Sequence, residues 1–292
     1  GSCMQQGFIS ADSHVSEIDE TYAEIDPRFR DQRPRAVFDA DRGGAIFTVP
    51  NLEMASGVPM ALVCTAGREP EDFNKPIPWE ELHPAGHDPK ARLAVQDEEG
   101  VAAEIIYPSM GMVLCNHPDI DYRKACFEAY NRWILRFAET NPDRLVALPQ
   151  ISLRTVEEGI SEIDEAKRLG FKGVMLSGNA AFDDYDHPSY DPFWEACVDL
   201  GLPVAFHILT TRGDLGDNQR GHKIIQHLIT IRGNQDLMAM LIFGGVFERH
   251  PKLKVVCVEA DAGWVPHFKY RMDHTFKRHR HWQGYGTISR LP

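Results

Sequence analysis

The chain has 292 residues, of which 43% are hydrophobic and 25% are charged, and its formal net charge at pH 7 is −12. This composition is typical of a globular protein. The acidic balance argues against nucleic acid and anionic membranes as partners, because both attract basic surfaces. The six cysteines form no Cys-x-x-Cys pair and no repeated spacing. We therefore interpret them as reduced thiols and expect a cytoplasmic location.

The first predicted strand ends in two side chains of a kind that binds metals. The apolar run Phe8-Ile9-Ser10-Ala11 leads directly into Asp12-Ser13-His14. Residues two apart in a strand face the same side, so Asp12 and His14 should project together beyond the strand end. We therefore predict that both are metal ligands.

Residues 15–100 interrupt the regular pattern of the chain. They are rich in prolines and charges and contain a predicted β-hairpin, with strands at 36–38 and 45–47 and a turn at 41–44. Long insertions beside a functional site commonly serve as lids or subunit contacts. We expect this region to cover the mouth of the sheet, and we expect the protein to be a homo-oligomer.

From residue 100 onward, apolar strands alternate with amphipathic helices. Predicted strands lie at residues 103–107, 144–151, 171–176, 203–208 and 253–259. Predicted helices lie at 127–140, after the N-cap Thr155 as far as Gly170, and at 190–200, 234–249 and 264–274. This alternation predicts an α/β fold with a parallel sheet covered by helices.

Two of the later strands also end in candidate metal ligands. His207 closes the strand that begins at Pro203, and Glu259 closes the strand that begins at Leu253. Together with Asp12 and His14 they offer imidazole and carboxylate groups that suit a divalent cation. No glycine-rich G-x-G-x-x-G turn follows the first strand, and ligands on early, middle and late strands must converge. We therefore predict a TIM-type (β/α)8 barrel rather than a doubly wound sheet.

These motifs resemble the amidohydrolase superfamily, and within it the amidohydrolase-2 branch of metal-dependent hydrolases and decarboxylases. The resemblance is carried by Asp12-Ser13-His14, by residues 203–207 (Pro-Val-Ala-Phe-His), by residues 247–254 leading to Glu259, and by residues 263–266 (Gly-Trp-Val-Pro). It extends over residues 8–274 and implies a metal-centred TIM barrel with one or two divalent ions of zinc, manganese or iron.

The sequence departs from the family pattern at three places. Asp12 stands where the family often has a first histidine, which favours a harder metal than zinc. Glu259 stands where the family often has a histidine that acts as a base. The family's usual ligating aspartate on strand eight has no counterpart here, and no apolar strand follows Glu259. We expect a single domain over residues 5–292 in which the last strands of the barrel are lacking.

Three functions remain open from the sequence. The first is hydrolysis of a small-molecule amide, ester, lactone or thioester, in which the cation lowers the pKa of bound water and Glu259 or Asp261 transfers the proton. The second is non-oxidative decarboxylation of an aromatic or unsaturated carboxylic acid, in which the metal chelates the substrate. The third is an inactive barrel that acts as a binding protein.

Substrate contacts are predicted for Tyr107, Arg212 and Trp264. Tyr107 ends a strand, Arg212 lies in the loop after His207 where it would attract an anion, and Trp264 belongs to the resemblance motif. Structural interpretations compete with some of the site predictions. They are an ion pair of Glu259 with Arg271 and a helix-dipole interaction for His250. His222 and His227 are alternatively helix-surface or packing residues, and residues 279–281 are alternatively a solvated tail.

Overall fold

The computed structural model describes residues 7–211, 220–284 and 288–292. The chain divides into two compact units, Gly1–Gln150 and Ile151–Pro292. In each unit parallel strands alternate with helices, which confirms the predicted α/β fold. The prediction of one barrel domain over residues 5–292 stays a prediction. In the part of the chain that the structure describes, no helix is both long and apolar enough to cross a bilayer.

The first unit is built on a parallel sheet with the strand order β1-β5-β6. Its strands are β1 (Phe8–His14), β2 (Arg35–Asp39), β3 (Gly44–Thr48), β4 (Val58–Pro59), β5 (Val101–Tyr107) and β6 (Leu145–Ala147), and its helices are α1 (Pro89–Glu99) and α2 (Ile120–Glu139). Asp88 caps α1 and Asp119 caps α2, each accepting hydrogen bonds from two backbone amides of the first turn. The apolar face of α2 buries Phe127 and Tyr130.

The insertion between β1 and α1 contains the predicted hairpin. Strands β2 and β3 pair antiparallel, with Val37 opposite Ile46, and β4 adds a third strand. Short 3-10 helices make up much of the remainder: Asp19–Tyr22, Pro27–Gln32, Glu53–Ala55, Met60–Val63, Pro70–Asp72, Trp79–Glu81 and Pro84–Gly86. The placement of this region over a barrel mouth stays a prediction.

The second unit is built on a parallel sheet with the order β10-β9-β8-β7. Its elements are β7 (Gln150–Ile151, where the two units meet in sequence), α3 (Val156–Arg168), β8 (Val174–Leu176), α4 (Asp191–Leu200), β9 (Val204–His207), α5 (Ile225–Ile229), α6 (Arg232–Phe243), α7 (Val246–Arg249), β10 (Val255–Val258) and α8 (Val265–His279). Thr155 caps α3 by accepting from the Glu158 amide, as predicted. Tyr185, Trp194 and Phe206 pack as one buried aromatic group.

Two predicted elements are divided in the structure. The strand predicted over 144–151 forms two short strands, β6 and β7, on either side of Leu148 and Pro149, because proline lacks the amide that a strand ladder needs. The helix predicted over 234–249 forms α6 and α7, which are separated by Gly244 and Gly245. Gly245 has a φ of 76°, a left-handed conformation that a helix cannot continue.

His250 joins two helices of the second unit, which corrects its interpretation as a helix-dipole contact. Its buried imidazole lies between two carboxylates of α4: Nε2 is 3.0 Å from Asp191 Oδ1, and Nδ1 pairs with Glu195. The neighbouring Arg249 also pairs with Asp191, at 3.1 Å. The end of α7 is therefore fixed to α4 by three side-chain contacts.

Glu104 on β5 is the centre of a polar network in the first unit. Its carboxylate accepts from Arg92 Nε at 2.8 Å, from Arg92 Nη2 at 2.9 Å and from Gln96 Nε2 at 2.6 Å. Arg92 also donates to the backbone carbonyl of His14 at 2.9 Å. Burial raises the pKa of Glu104, but the hydrogen bonds from Arg92 and Gln96 outweigh it, and the pKa is lowered from 4.5.

We predict that Glu104→Gln lowers the free energy of unfolding by about 3 kcal/mol at pH 7, because it leaves the Arg92 guanidinium, which is only 11% exposed, without its counter-charge. Since the folded-state pKa lies below 4.5, the wild type should lose this stabilisation as the pH falls below that value. Urea unfolding between pH 7 and pH 3 measures both effects. The exposed Glu98→Gln on α1 is the control. Equal stability of the two variants at pH 7 would contradict the prediction.

Candidate metal centre

The first candidate pair, Asp12 and His14, lies at the carboxyl end of β1. The pairing of β1 with β5 contains a bulge, since Ser10 aligns with Glu104 but Ser13 aligns with Ile106. The extra residue lies in the stretch that contains Asp12, and bulges of this kind redirect side chains. The two side chains meet, with His14 Nε2 3.1 Å from Asp12 Oδ1.

The second candidate pair, His207 and Glu259, lies at the carboxyl ends of β9 and β10. The two strands are parallel neighbours, with His207 aligned to Val258, so Glu259 follows directly beyond the ladder. His207 Nε2 is 3.0 Å from Glu259 Oε2. The His207 side chain is fully buried, whereas that of Glu259 is 46% exposed. The carboxylate therefore reaches from the surface side toward a buried imidazole.

Both imidazoles are oriented in the same way. His14 Nδ1 is 2.9 Å from the carbonyl oxygen of Pro108, and His207 Nδ1 is 3.0 Å from that of Ile208. A carbonyl oxygen can only accept, so each Nδ1 carries the proton. In a neutral imidazole Nε2 then presents a lone pair toward the neighbouring carboxylate, an arrangement that a shared cation would stabilise. The donor chemistry of both pairs therefore fits a divalent metal.

Asp12 and His14 are the predicted ligands of the first unit, and His207 and Glu259 are those of the second. That the four bind one ion stays a prediction. Two carboxylates and two imidazoles make a mixed oxygen and nitrogen donor set. Such a set suits zinc, manganese or iron and disfavours soft metals that prefer thiolates.

The turn after β10 has an unusual backbone. Glu259 and Asp261 have φ values of 58° and 54°, which lie in the left-handed region that costs about 1–2 kcal/mol per non-glycine residue. Trp264 Nε1 donates to the carbonyl of Ala260 and holds the turn closed. Strained backbone of this kind is concentrated at functional sites. The Asp261 side chain is exposed, and its catalytic role stays a prediction.

Tyr107 ends β5 opposite His14. Its ring is buried, with its centroid 6.3 Å from that of His14. Burial raises the pKa of Tyr107, and the nearby Asp12 carboxylate raises it further, so its hydroxyl stays protonated. Arg212, the predicted substrate contact in the loop after His207, lies outside the described residues. The substrate contacts of Tyr107, Arg212 and Trp264 stay predictions.

Glu17 supports the first pair and was missed by the sequence-based reasoning. Its fully buried carboxylate accepts from the backbone amides of Ser109 at 2.9 Å, Met110 at 3.1 Å and Gly111 at 2.8 Å. This holds the loop whose Pro108 carbonyl contacts His14. Burial raises the pKa of Glu17, and the three amides oppose that rise. The only signal in the sequence is an acid three residues after His14.

We predict that Gly111→Ala lowers the free energy of unfolding by about 1–3 kcal/mol, the usual range for overpacking. A Cβ at this position would lie 2.8 Å from Tyr22 Oη and 2.9 Å from Glu17 Oε1, so the buried loop must shift. Gly263→Ala is the matched control, because its Cβ would meet no atom within 4 Å. The measurement is thermal unfolding of both variants. An unchanged melting temperature for Gly111→Ala would show that the loop adapts without cost.

The chain is similar to known proteins in both sequence and structure. A family model described as amidohydrolase matches residues 72–283. Over 148 residues the chain is 29% identical to 2-amino-3-carboxymuconate-6-semialdehyde decarboxylase of Dictyostelium discoideum. That match covers 50% of this chain and 40% of the decarboxylase, so the chain matches well under two thirds of that relative's length.

Two solved structures illustrate the fold. An amidohydrolase from Mycobacterium avium subsp. paratuberculosis is 24% identical with a TM-score of 0.75, over 94% of this chain and 77% of that one. A 5-carboxyvanillate decarboxylase from Novosphingobium aromaticivorans, solved with manganese and 4-hydroxy-3-methoxy-5-nitrobenzoic acid, is 18% identical with a TM-score of 0.64. That similarity covers 100% of this chain and 76% of the decarboxylase. At these identities the likeness shows the fold alone.

Proposed function

This chain belongs to the amidohydrolase family, and we propose that it is a metal-dependent enzyme that decarboxylates an aromatic or unsaturated carboxylic acid without oxidation. The observation that carries the proposal is that imidazole and carboxylate pair twice at the ends of parallel strands. It is supported by the 29% identity to a decarboxylase over 148 residues. Hydrolysis, the first of the three functions predicted from the sequence, is supported less well, because the relative matched by sequence is named as a decarboxylase.

We propose that Asp12, His14, His207 and Glu259 bind one divalent ion, and that the parallel strands belong to the (β/α)8 barrel typical of the family. Manganese is the first choice. Carboxylates at two of the four positions favour a harder metal, and the related 5-carboxyvanillate decarboxylase binds manganese. When bound, the ion would act as a Lewis acid that holds the substrate's oxygen atoms and neutralises their charge.

The proposed reaction breaks the bond between an unsaturated carbon and the carboxylate of the substrate. The bonding electron pair stays on that carbon, which gains a proton, and the carboxylate leaves as CO2. The chain must therefore supply a proton at that carbon. We propose Asp261 as the donor, because the Glu259 carboxylate is engaged with His207 whereas Asp261 is exposed two residues later in the same turn.

The remaining groups would bind and orient the substrate. The Tyr107 hydroxyl stays protonated and can donate a hydrogen bond to an anionic oxygen. The indole of Trp264, which is partly exposed and follows Asp261 by three residues, offers a surface on which an aromatic ring can pack. Arg212 would add a positive charge for the substrate carboxylate. These roles imply a small, planar, anionic substrate.

We predict manganese-dependent release of CO2 from aromatic acids that carry a hydroxyl next to the carboxylate. Chelator-treated protein should be inactive and should regain turnover on addition of Mn²⁺. His207→Gln should weaken Mn²⁺ binding by more than about 100-fold, because loss of a ligand should exceed the roughly 10–100-fold effect of losing an outer hydrogen-bond partner. The exposed His267→Gln should bind Mn²⁺ like the wild type.

Mn²⁺ affinity is measured by isothermal titration calorimetry, and CO2 release by a coupled assay on a panel that also includes esters, thioesters and amides. Turnover of an ester or amide without CO2 release would show that the enzyme is a hydrolase and not a decarboxylase. Full Mn²⁺ affinity in His207→Gln would exclude the proposed metal centre.

We predict that Asp261→Asn and Glu259→Gln separate proton transfer from metal binding. Asp261→Asn should retain Mn²⁺ affinity while kcat falls by about 100-fold or more, the usual scale for loss of a general acid. Glu259→Gln removes a ligand and should lower the Mn²⁺ affinity itself. Calorimetry and steady-state kinetics on both variants decide the assignment. Asp261 is not the proton donor if kcat of Asp261→Asn stays within a few-fold of the wild type.

A further inference from the structure

Asn234 on α6 contacts both strands that carry the second ligand pair. Its side chain is buried, with 1% of its surface exposed. The amide nitrogen Nδ2 donates to the carbonyl oxygen of Phe206 at 3.0 Å and to that of Val258 at 3.3 Å. Phe206 directly precedes His207, and Val258 directly precedes Glu259. One side chain therefore holds the backbone immediately before each of the two residues.

The strand ends need such a contact because the regular ladder stops there. Each strand is only four residues long. Beyond the aligned pair of His207 and Val258, the backbone enters left-handed conformations at Leu209 and at Glu259. The Ile208 amide donates to the Val258 carbonyl at 3.3 Å, a long bond by itself. A primary amide has two N–H donors in a fixed plane and can bind both carbonyls at once.

The environment of Asn234 also argues against a purely stabilising role. Among the described residues its Oδ1 is buried and makes no hydrogen bond. A buried acceptor without a partner costs about 1–3 kcal/mol. Leu237 and Leu241, three and seven residues later, are buried on the same helix and already fix its position. The favourable part of the Asn234 side chain is thus its donor group, which is directed at the two strand ends.

We propose that Asn234 is a positioning residue that holds His207 and Glu259 at the spacing required for a divalent cation, and that it thereby sets the metal affinity. This inference rests on the proposed function, since it assumes that these two residues are metal ligands. The Nε2 of His207 and the Oε2 of Glu259 are 3.0 Å apart, and the amide spans the two backbones from which they project. Loss of the amide would let the strand ends separate.

The test uses Asn234→Asp, which keeps the shape but replaces the donor by an oxygen that repels both carbonyls. Asn234→Ser, which keeps one small donor, is the second variant if Asn234→Asp fails to fold. Asn131→Asp is the matched control. Asn131 Nδ2 donates to the Gln150 carbonyl at 2.8 Å, and its Oδ1 accepts from the Gln150 amide at 2.8 Å. It is a comparable backbone contact that touches no predicted ligand.

Three quantities are measured on the intact chain: the Kd for Mn²⁺ by calorimetry, the visible absorption of the Co²⁺-loaded protein, and the melting temperature. Asn234→Asp should bind Mn²⁺ about 10–100-fold more weakly than the wild type, the scale for outer partners of metal ligands. Its Co²⁺ spectrum should change, because the ligand positions change. The Mn²⁺ affinity of Asn234→Ser should lie between that of the wild type and that of Asn234→Asp. Asn131→Asp should lose melting temperature but keep the Mn²⁺ affinity within about 2-fold.

Each other outcome overturns the inference. Wild-type Mn²⁺ affinity and an unchanged Co²⁺ spectrum in a folded Asn234 variant would show that Asn234 is structural only. An equal loss of affinity in Asn131→Asp would show a general effect of destabilisation. A wild type that binds neither ion would refute the proposed function and this inference with it, whereas the first two outcomes leave the metal centre intact.

Discussion

The hydrogen bond from each imidazole Nδ1 to a backbone carbonyl is the interaction on which the candidate site depends. It fixes the tautomer, so that Nε2 of His14 and of His207 is the nitrogen that faces a carboxylate. The carbonyl that serves His14 belongs to Pro108 in the loop after β5, whereas His207 uses the carbonyl of the next residue. Which imidazole nitrogen faces the carboxylate is therefore decided by where the backbone places two oxygen atoms.

In the first unit two buried carboxylates, those of Glu17 and Glu104, hold the backbone around His14 in place. The cost of removing each carboxylate from water is offset in a different way. Glu17 is surrounded by three backbone amides, which are neutral donors, and burial still raises its pKa. Glu104 is bound by a guanidinium and an amide, and its pKa is lowered. Since a full counter-charge offsets desolvation better than dipoles do, Glu104 is the firmer support. Through Arg92 it also fixes the His14 carbonyl.

The sequence allowed the strand ends and their polar residues to be predicted, because both follow from local periodicity. Asp12 and His14 meet because they are two apart at the end of β1, and His207 and Glu259 meet because β9 and β10 are parallel neighbours. The α/β fold followed from the same alternation. Barrel closure and the substrate contacts have no such local signal, and they stay proposals.

The supporting residues could not be predicted in this way. Glu17 and Asn234 act through backbone groups of Ser109 and Phe206, each far away in sequence or on another element. His250 was misinterpreted for the same reason, since its helix end was visible in the sequence but the acidic face of α4 was not. Tertiary contacts to backbone atoms leave no residue pattern, so only the fold reveals them.

The left-handed backbone at Glu259 also limits which residues can replace this proposed ligand over evolution. Asparagine, aspartate and histidine adopt this conformation several-fold more often than other non-glycine residues, and β-branched residues almost never do. A change from glutamate to aspartate at this position would leave both the turn and the charge of the proposed donor set unchanged. A change to histidine would leave the turn in place and remove one negative charge. Replacement by valine, isoleucine or threonine would disturb the backbone as well as the ligand. Apart from glycine, the replacements that this backbone conformation accepts most readily are therefore themselves metal-binding residues or an amide of one. The turn thus favours the exchange of one donor group for another at this position.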